Sequence, residues 1–174
     1  MADVEYLRGL LGVHPNFPKR GITFLDLFPI LRDPLAFETL ITHMVHHITS
    51  QTIPKLESKK IDTVVGLDAR GFLLGPVVAL RLGAAFVPVR KKGKLPGKCT
   101  TVTYEKEYGA CSYLYSISSI DPFEITGGSA KAAGELVAKQ GGKTVEYLFV
   151  VGLPFLKGHE KLDAPAYSII EAED

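Results

Sequence analysis

A chain of 174 residues suits one domain with a substantial core, and a single domain over residues 1–174 is expected. Its 46% hydrophobic and 22% charged residues are ordinary for a globular protein, and 20 Lys+Arg against 19 Asp+Glu leave a formal charge of +1. That balance supplies no global field for nucleic acid or an anionic membrane, so neither is expected as a partner and any anion site must be local.

Met1 to Glu5 lack the basic-then-apolar pattern of a signal peptide, so a cytoplasmic protein is expected. The first 30 residues read as turn-rich, because His14-Pro15-Asn16-Phe17-Pro18 cannot continue a helix. Asp33-Pro34 supplies an N-cap with proline at the first helical position. Phe37, Leu40, Ile41, Met44, Val45 and Ile48 follow at helical spacing, predicting a helix to about residue 50. Residues 61–67 form a β-branched run without alternation, as in a strand buried on both faces. Asp68-Ala69-Arg70-Gly71 ends it, residues 72–82 read as a helix stopped by Gly83, and 84–89 as another buried strand. Pro76, Arg81, Gly83 and Pro88 interrupt this apolar stretch, which excludes it as a membrane span.

A basic loop, Arg90 to Gly97, comes next, then strands over 100–104 and 113–120, a helix over 129–140 and a last buried strand over 145–151. Cys99 and Cys111 are too few for a disulfide framework and have no metal-ligand spacing. Strands alternating with helices imply an α/β fold with a mostly parallel sheet flanked by helices. Ligands then sit beyond the carboxyl ends of the strands, where the loops 68–71, 90–97 and 121–129 would converge.

Thr126-Gly127-Gly128-Ser129 opens a helix, with two glycines for unusual dihedrals and two hydroxyls as donors. A phosphate cradle needs those features, although Gly-Gly also serves as a plain helix-start turn. Arg70, in the turn after a buried strand, has the planar fork that suits a pyrophosphate; the alternative is a surface pair with Asp68. Lys91 and Lys94 can reach over an anion or simply be solvated. Glu105 and Glu107 lie in a polar segment, as a general acid or base or as part of a charged hairpin. His43, His46 and His47 can place two imidazoles on one helix face, but no carboxylate or cysteine completes the set for a metal site.

Taken together, several blocks carry a more specific message. They are Asn16-Phe17-Pro18 with Gly21-Ile22-Thr23-Phe24, Pro29 to Pro34, Gly66 to Phe72, Val89 to Gly97, Glu107-Tyr108-Gly109, Thr126 to Ser129, and Leu156-Lys157-Gly158-His159-Glu160-Lys161-Leu162. In this order and spacing they resemble the adenine phosphoribosyltransferase family over nearly the whole chain. The resemblance implies a type I phosphoribosyltransferase fold, with residues 1–34 contributing a small N-terminal hood. It implies a pentosyltransferase of purine salvage that makes AMP and pyrophosphate from adenine and 5-phosphoribosyl 1-pyrophosphate with Mg²⁺. A homodimer is implied as well.

By that pattern Arg70, Lys91 and Lys94 hold the pyrophosphate, and Thr126, Gly127, Gly128 and Ser129 cradle the 5′-phosphate. Glu107 handles a proton on the adenine ring, with Tyr108 beside it. Ile22 and Phe24 form the apolar side of the adenine pocket; Asp121 matches the first of two acids that hold the ribose hydroxyls, with nearby Glu124 the alternative contact, and Ile125 is among the substrate-binding residues. Substrate oxygens carry the metal, with no protein cage.

Residues 110–125 depart from the pattern. Pro122 stands where the family has the second of two adjacent acids, Glu124 lies nearby, and the segment is short by more than a strand. Leu25 replaces a frequent arginine and Gly152 an acidic residue. A divergent paralogue or a local alteration of residues 111–124 accounts for these departures. The alternative function is therefore a catalytically impaired paralogue that binds AMP or the sugar pyrophosphate in a regulatory role.

Overall fold

The computed structural model describes residues 2–17, 20, 23–90, 94, 100, 102 and 127–172. A short helix α1, Ala2–Leu10, buries Leu7. Strands β1, Gly12–Pro15, and β2, Thr23–Asp26, pair antiparallel with Val13 opposite Leu25. Thus the turn-rich reading of the first 30 residues is corrected. Val4, Leu7 and Leu11 do recur at helical spacing, but over too few turns to stand out.

The Asp26 side chain accepts from Phe28 N–H at 3.0 Å, opening helix α2, Phe28–Arg32. Helix α3, Pro34–His47, begins as expected: Asp33 Oδ1 accepts from the N–H groups of Leu35 at 2.9 Å and Ala36 at 3.3 Å. It buries Ala36, Leu40, Ile41 and Met44, and a single π turn, Ile48–Thr52, continues it.

Strand β3, Thr63–Leu67, is buried throughout and runs parallel to β4, Ala85–Val89, across helix α4, Gly71–Leu82. Gly83 ends α4 at φ 64°, a left-handed conformation that glycine adopts without penalty. Strand β4 is less covered than its sequence suggests, since Ala85 is exposed and only Val89 is buried. Pro88 lies opposite Gly66 and cannot donate to a ladder. Helix α5, Gly128–Lys139, precedes the parallel strands β5, Tyr147–Gly152, and β6, Ala166–Glu171. Strand β6, absent from the sequence reading, follows directly on the turns after β5.

Alternation along β3 divides the core in two. Val64 packs with α3 and α4 residues such as Leu40, Met44 and Leu74, along with Leu148 and Ile169. Val65 and Leu67 point the other way, toward Ala133, Leu136 and Val137 of α5. The strand is therefore sandwiched between helical layers, the arrangement of an α/β domain. Among the described residues, no helix is long and apolar enough to cross a membrane. The strand expected over 113–120, and all but Thr100 and Val102 of the one over 100–104, lie outside the described residues.

Candidate active site

The parallel register sets Leu67 beside Val89, so the chain leaves both strands at the same edge. The Asp68 N–H donates to Val89 O at 3.0 Å, and Arg90 Nε donates to Asp68 Oδ2 at 3.1 Å. The Arg90 guanidinium also lies 5.7 Å from the Phe72 ring centre, and its Nη1 donates to Lys94 O at 3.4 Å. One arginine thereby ties together the two strand ends, the start of α4 and the basic loop. The Asp68 carboxylate thus pairs with Arg90.

Arg70, the N-cap residue of α4, places its guanidinium 5.6 Å from the centre of the Phe24 ring. Phe24 is half-buried, with Phe17 edge-on at 5.4 Å and His14 at 6.1 Å. A residue expected to hold pyrophosphate and one expected to line the base pocket are thus neighbours, though 46 positions apart in sequence. Sequence reasoning attached no role to Arg90, Phe17 or His14. The density of aromatic residues between 14 and 28 was the available signal for the last two.

At the start of α5, Gly127 caps the helix at φ 70°, ψ 5°, and its carbonyl accepts from Lys131 N–H at 2.9 Å. Of the two glycines in this loop, only Gly127 uses the left-handed region. Gly128 already belongs to the helix, so the expectation of unusual dihedrals at both is corrected. The first N–H groups of such a helix have no carbonyl partner within it, and with the dipole they favour an anion. Ser129 lies in that first turn, and the apolar face of α5 packs on the same strand layer as Leu67 and Val89.

Ile22, Lys91, Glu107 and Tyr108 lie outside the described residues, as do Asp121, Glu124, Ile125 and Thr126. Among the described residues, no group of three His, Cys, Asp or Glu is placed to hold a metal. The histidine face of α3 serves a different end. His47 Nε2 lies 2.8 Å from Glu146 Oε1, and its ring stacks on Tyr167 at 3.6 Å.

No family model matches the chain. Adenine phosphoribosyltransferase 1 of Saccharomyces cerevisiae is 47% identical over 180 residues, covering 97% of this chain and 93% of that protein. Adenine phosphoribosyltransferase of Yarrowia lipolytica is 45% identical over 177 residues, covering 97% and 95%. A crystal structure of the Saccharomyces cerevisiae enzyme, complexed with an imino-altritol bisphosphate and adenine, superposes with a TM-score of 0.87. It shares 42% identity and covers 97% of this chain and 99% of its own. With Arg70 and Phe24 joined at the strand ends and such relatives along nearly its whole length, this chain belongs to the adenine phosphoribosyltransferase family and has its type I phosphoribosyltransferase fold.

Proposed function

We propose that the carboxyl ends of β3 and β4 and the start of α5 form the site where this transferase joins adenine to 5-phosphoribosyl 1-pyrophosphate, giving AMP and pyrophosphate. The observation that carries this reading is the 5.6 Å contact between Arg70 and Phe24. The bond that breaks, between ribose C1 and pyrophosphate, is replaced by one between C1 and the base. A pyrophosphate ligand and a base-lining residue therefore have to lie side by side.

Arg70 holds pyrophosphate oxygens through its planar fork, and Lys91 and Lys94 add charge from the basic loop. Phe24 and Ile22 face the adenine ring, and residues 126–129 hold the 5′-phosphate. As the bond to pyrophosphate breaks, the sugar gains positive charge, which Asp121, Glu124 and the Ile125 backbone accompany. Glu107, with Tyr108 beside it, manages the proton on the adenine ring. Catalysis is chiefly placement and charge management.

Magnesium takes oxygen ligands and needs only one or two carboxylates beside phosphate oxygens. Asp68, beside Arg70 in this turn, is a carboxylate of that kind, so the residues fit an ion that arrives on the substrate. When bound, it neutralises charge on the departing pyrophosphate. We place the activity in the cytoplasm, in one domain whose residues 1–34 hood the base. We also place it in a homodimer, with part of the basic loop reaching the partner. Leu73 and Leu80, 42% and 82% exposed on one face of α4, offer apolar surface for that contact.

The test is release of pyrophosphate from adenine and the sugar pyrophosphate, run beside a titration with AMP. Stoichiometric AMP and pyrophosphate, abolished by EDTA and restored by Mg²⁺, are expected. Tight AMP binding without turnover would contradict the reading.

A further inference from the structure

The block from Leu156 to Leu162 matches the family yet has no part in the chemistry above. It folds as two 3₁₀ turns, Pro154–Leu156 and Gly158–Lys161, joined at Lys157 with φ 51°. Both turns are closed by backbone bonds, including Lys157 N–H to Pro154 O at 3.0 Å and Leu162 N–H to His159 O at 3.2 Å. The stretch is therefore a formed platform, and Asp163 leaves its end.

Helix α5 is seated on this platform at two points. At its N-cap, a β-carbon on Gly127 would collide with the carbonyl oxygen of Gly158 and come within 3.0 Å of its carbonyl carbon. Backbone meets backbone there, so no side chain can swing aside. Seven residues on, and so on the same face, Gly134 lies flush against the Tyr147 hydroxyl. A β-carbon on Gly134 would also come within 2.8 Å of Asp163 Oδ1.

The Tyr147 hydroxyl donates to Asp163 Oδ1 at 2.6 Å. Tyr147 is 2% exposed, and this bond fastens the end of the platform to β5 directly beneath the helix. Burial first, and then the bond to Asp163, push the phenol above its ordinary range and keep it a donor. A short bond to a carboxylate in a covered place is a stiff one.

We propose that Tyr147 and Asp163 are positioning residues for the phosphate loop. They fix the platform, and through its contacts with Gly134 and Gly127 the platform sets the height at which α5 carries the loop. The inference rests on residues 126–129 being the 5′-phosphate cradle.

Tyr147→Phe in the full chain removes the hydroxyl and leaves the ring. The readout is inhibition of the forward reaction by two products, AMP and pyrophosphate. AMP needs the loop, whereas pyrophosphate uses the Arg70 turn instead. The inhibition constant for AMP is expected to rise about tenfold, with that for pyrophosphate unchanged within about twofold. Asp163→Ala should reproduce the split, and Asp163→Asn, which keeps an acceptor, should largely restore AMP binding. Gly134→Ala should also weaken AMP, although alanine is the better helix former. An unchanged AMP constant in Tyr147→Phe would overturn the proposal, as would equal weakening of AMP and pyrophosphate. Adenosine tests the underlying reading by itself. If it inhibits the native chain as strongly as AMP, the loop does not hold the phosphate.

Discussion

Phe24 carries two duties in the proposed function, because the ring assigned to the base also lies under the Arg70 guanidinium. A cation over an aromatic face is worth about 0.5–1 kcal/mol where partly exposed, enough to bias the arginine toward one orientation. Phe24→Leu keeps apolar volume but removes the π face, so it should raise KM for adenine about tenfold. A smaller rise for the sugar pyrophosphate should accompany it through Arg70. Steady-state kinetics with each substrate varied in turn will check this, and an unchanged adenine KM would remove Phe24 from the base pocket. Glu107→Gln keeps the shape of the side chain and loses its ability to take a proton. Turnover should fall about 100-fold with little change in AMP affinity. An unchanged rate would take Glu107 out of the mechanism.

Helix α4 bears on β3 and β4 through glycine. A β-carbon on Gly75 would come within 2.5 Å of the Phe86 ring, and one on Gly66 within 2.6 Å of Gly71 O. Gly75→Ala should gain about 1 kcal/mol in helix propensity but lose about 1–3 to overpacking, for a net destabilisation. The urea midpoint should fall with its slope unchanged, and a raised midpoint would contradict the packing.

At the start of α3, the N–H groups of Ala36 and then Leu35 hold the Asp33 carboxyl below its ordinary value of 3.8. A lowered folded value means the cap stabilises above that ordinary value and is lost as pH falls through the lowered one. Asp33→Ala should therefore lower the melting temperature at neutral pH but lose that effect in acid, which thermal melts across pH will show.

This cap, with its proline and spacing, made α3 legible in the sequence, and the unbroken β-branched run did the same for β3. Helix α1 and strand β6 were not legible: α1 buries only Leu7, and β6 takes its place from its pairing with β5. The site divides similarly. Arg70 and Gly127 stand out because a turn after a buried strand and a helix start have few uses for such residues. That Arg70 meets Phe24, and that Tyr147 meets Asp163, are facts of packing between segments, which no local pattern encodes.

Across the whole molecule, a buried polar clasp joins the helical layer to the second strand pair. Glu146, 8% exposed, accepts from Thr52 Oγ1 at 2.6 Å and meets His47 at the end of α3. Removing one member of such a cluster leaves the others without their partner, at about 1–3 kcal/mol. Glu146→Ala should accordingly lower stability by that much in a denaturant titration while leaving both substrate KM values unchanged, since the clasp touches none of the described site residues. The site itself is best tested at Arg70, where the claim is that one turn separates the duties of pyrophosphate and base. Kinetics of Arg70→Ala in the AMP-forming reaction measure this most directly. The KM for 5-phosphoribosyl 1-pyrophosphate should rise about 100-fold, with the KM for adenine within about threefold of native. Equal losses for both substrates would contradict that claim.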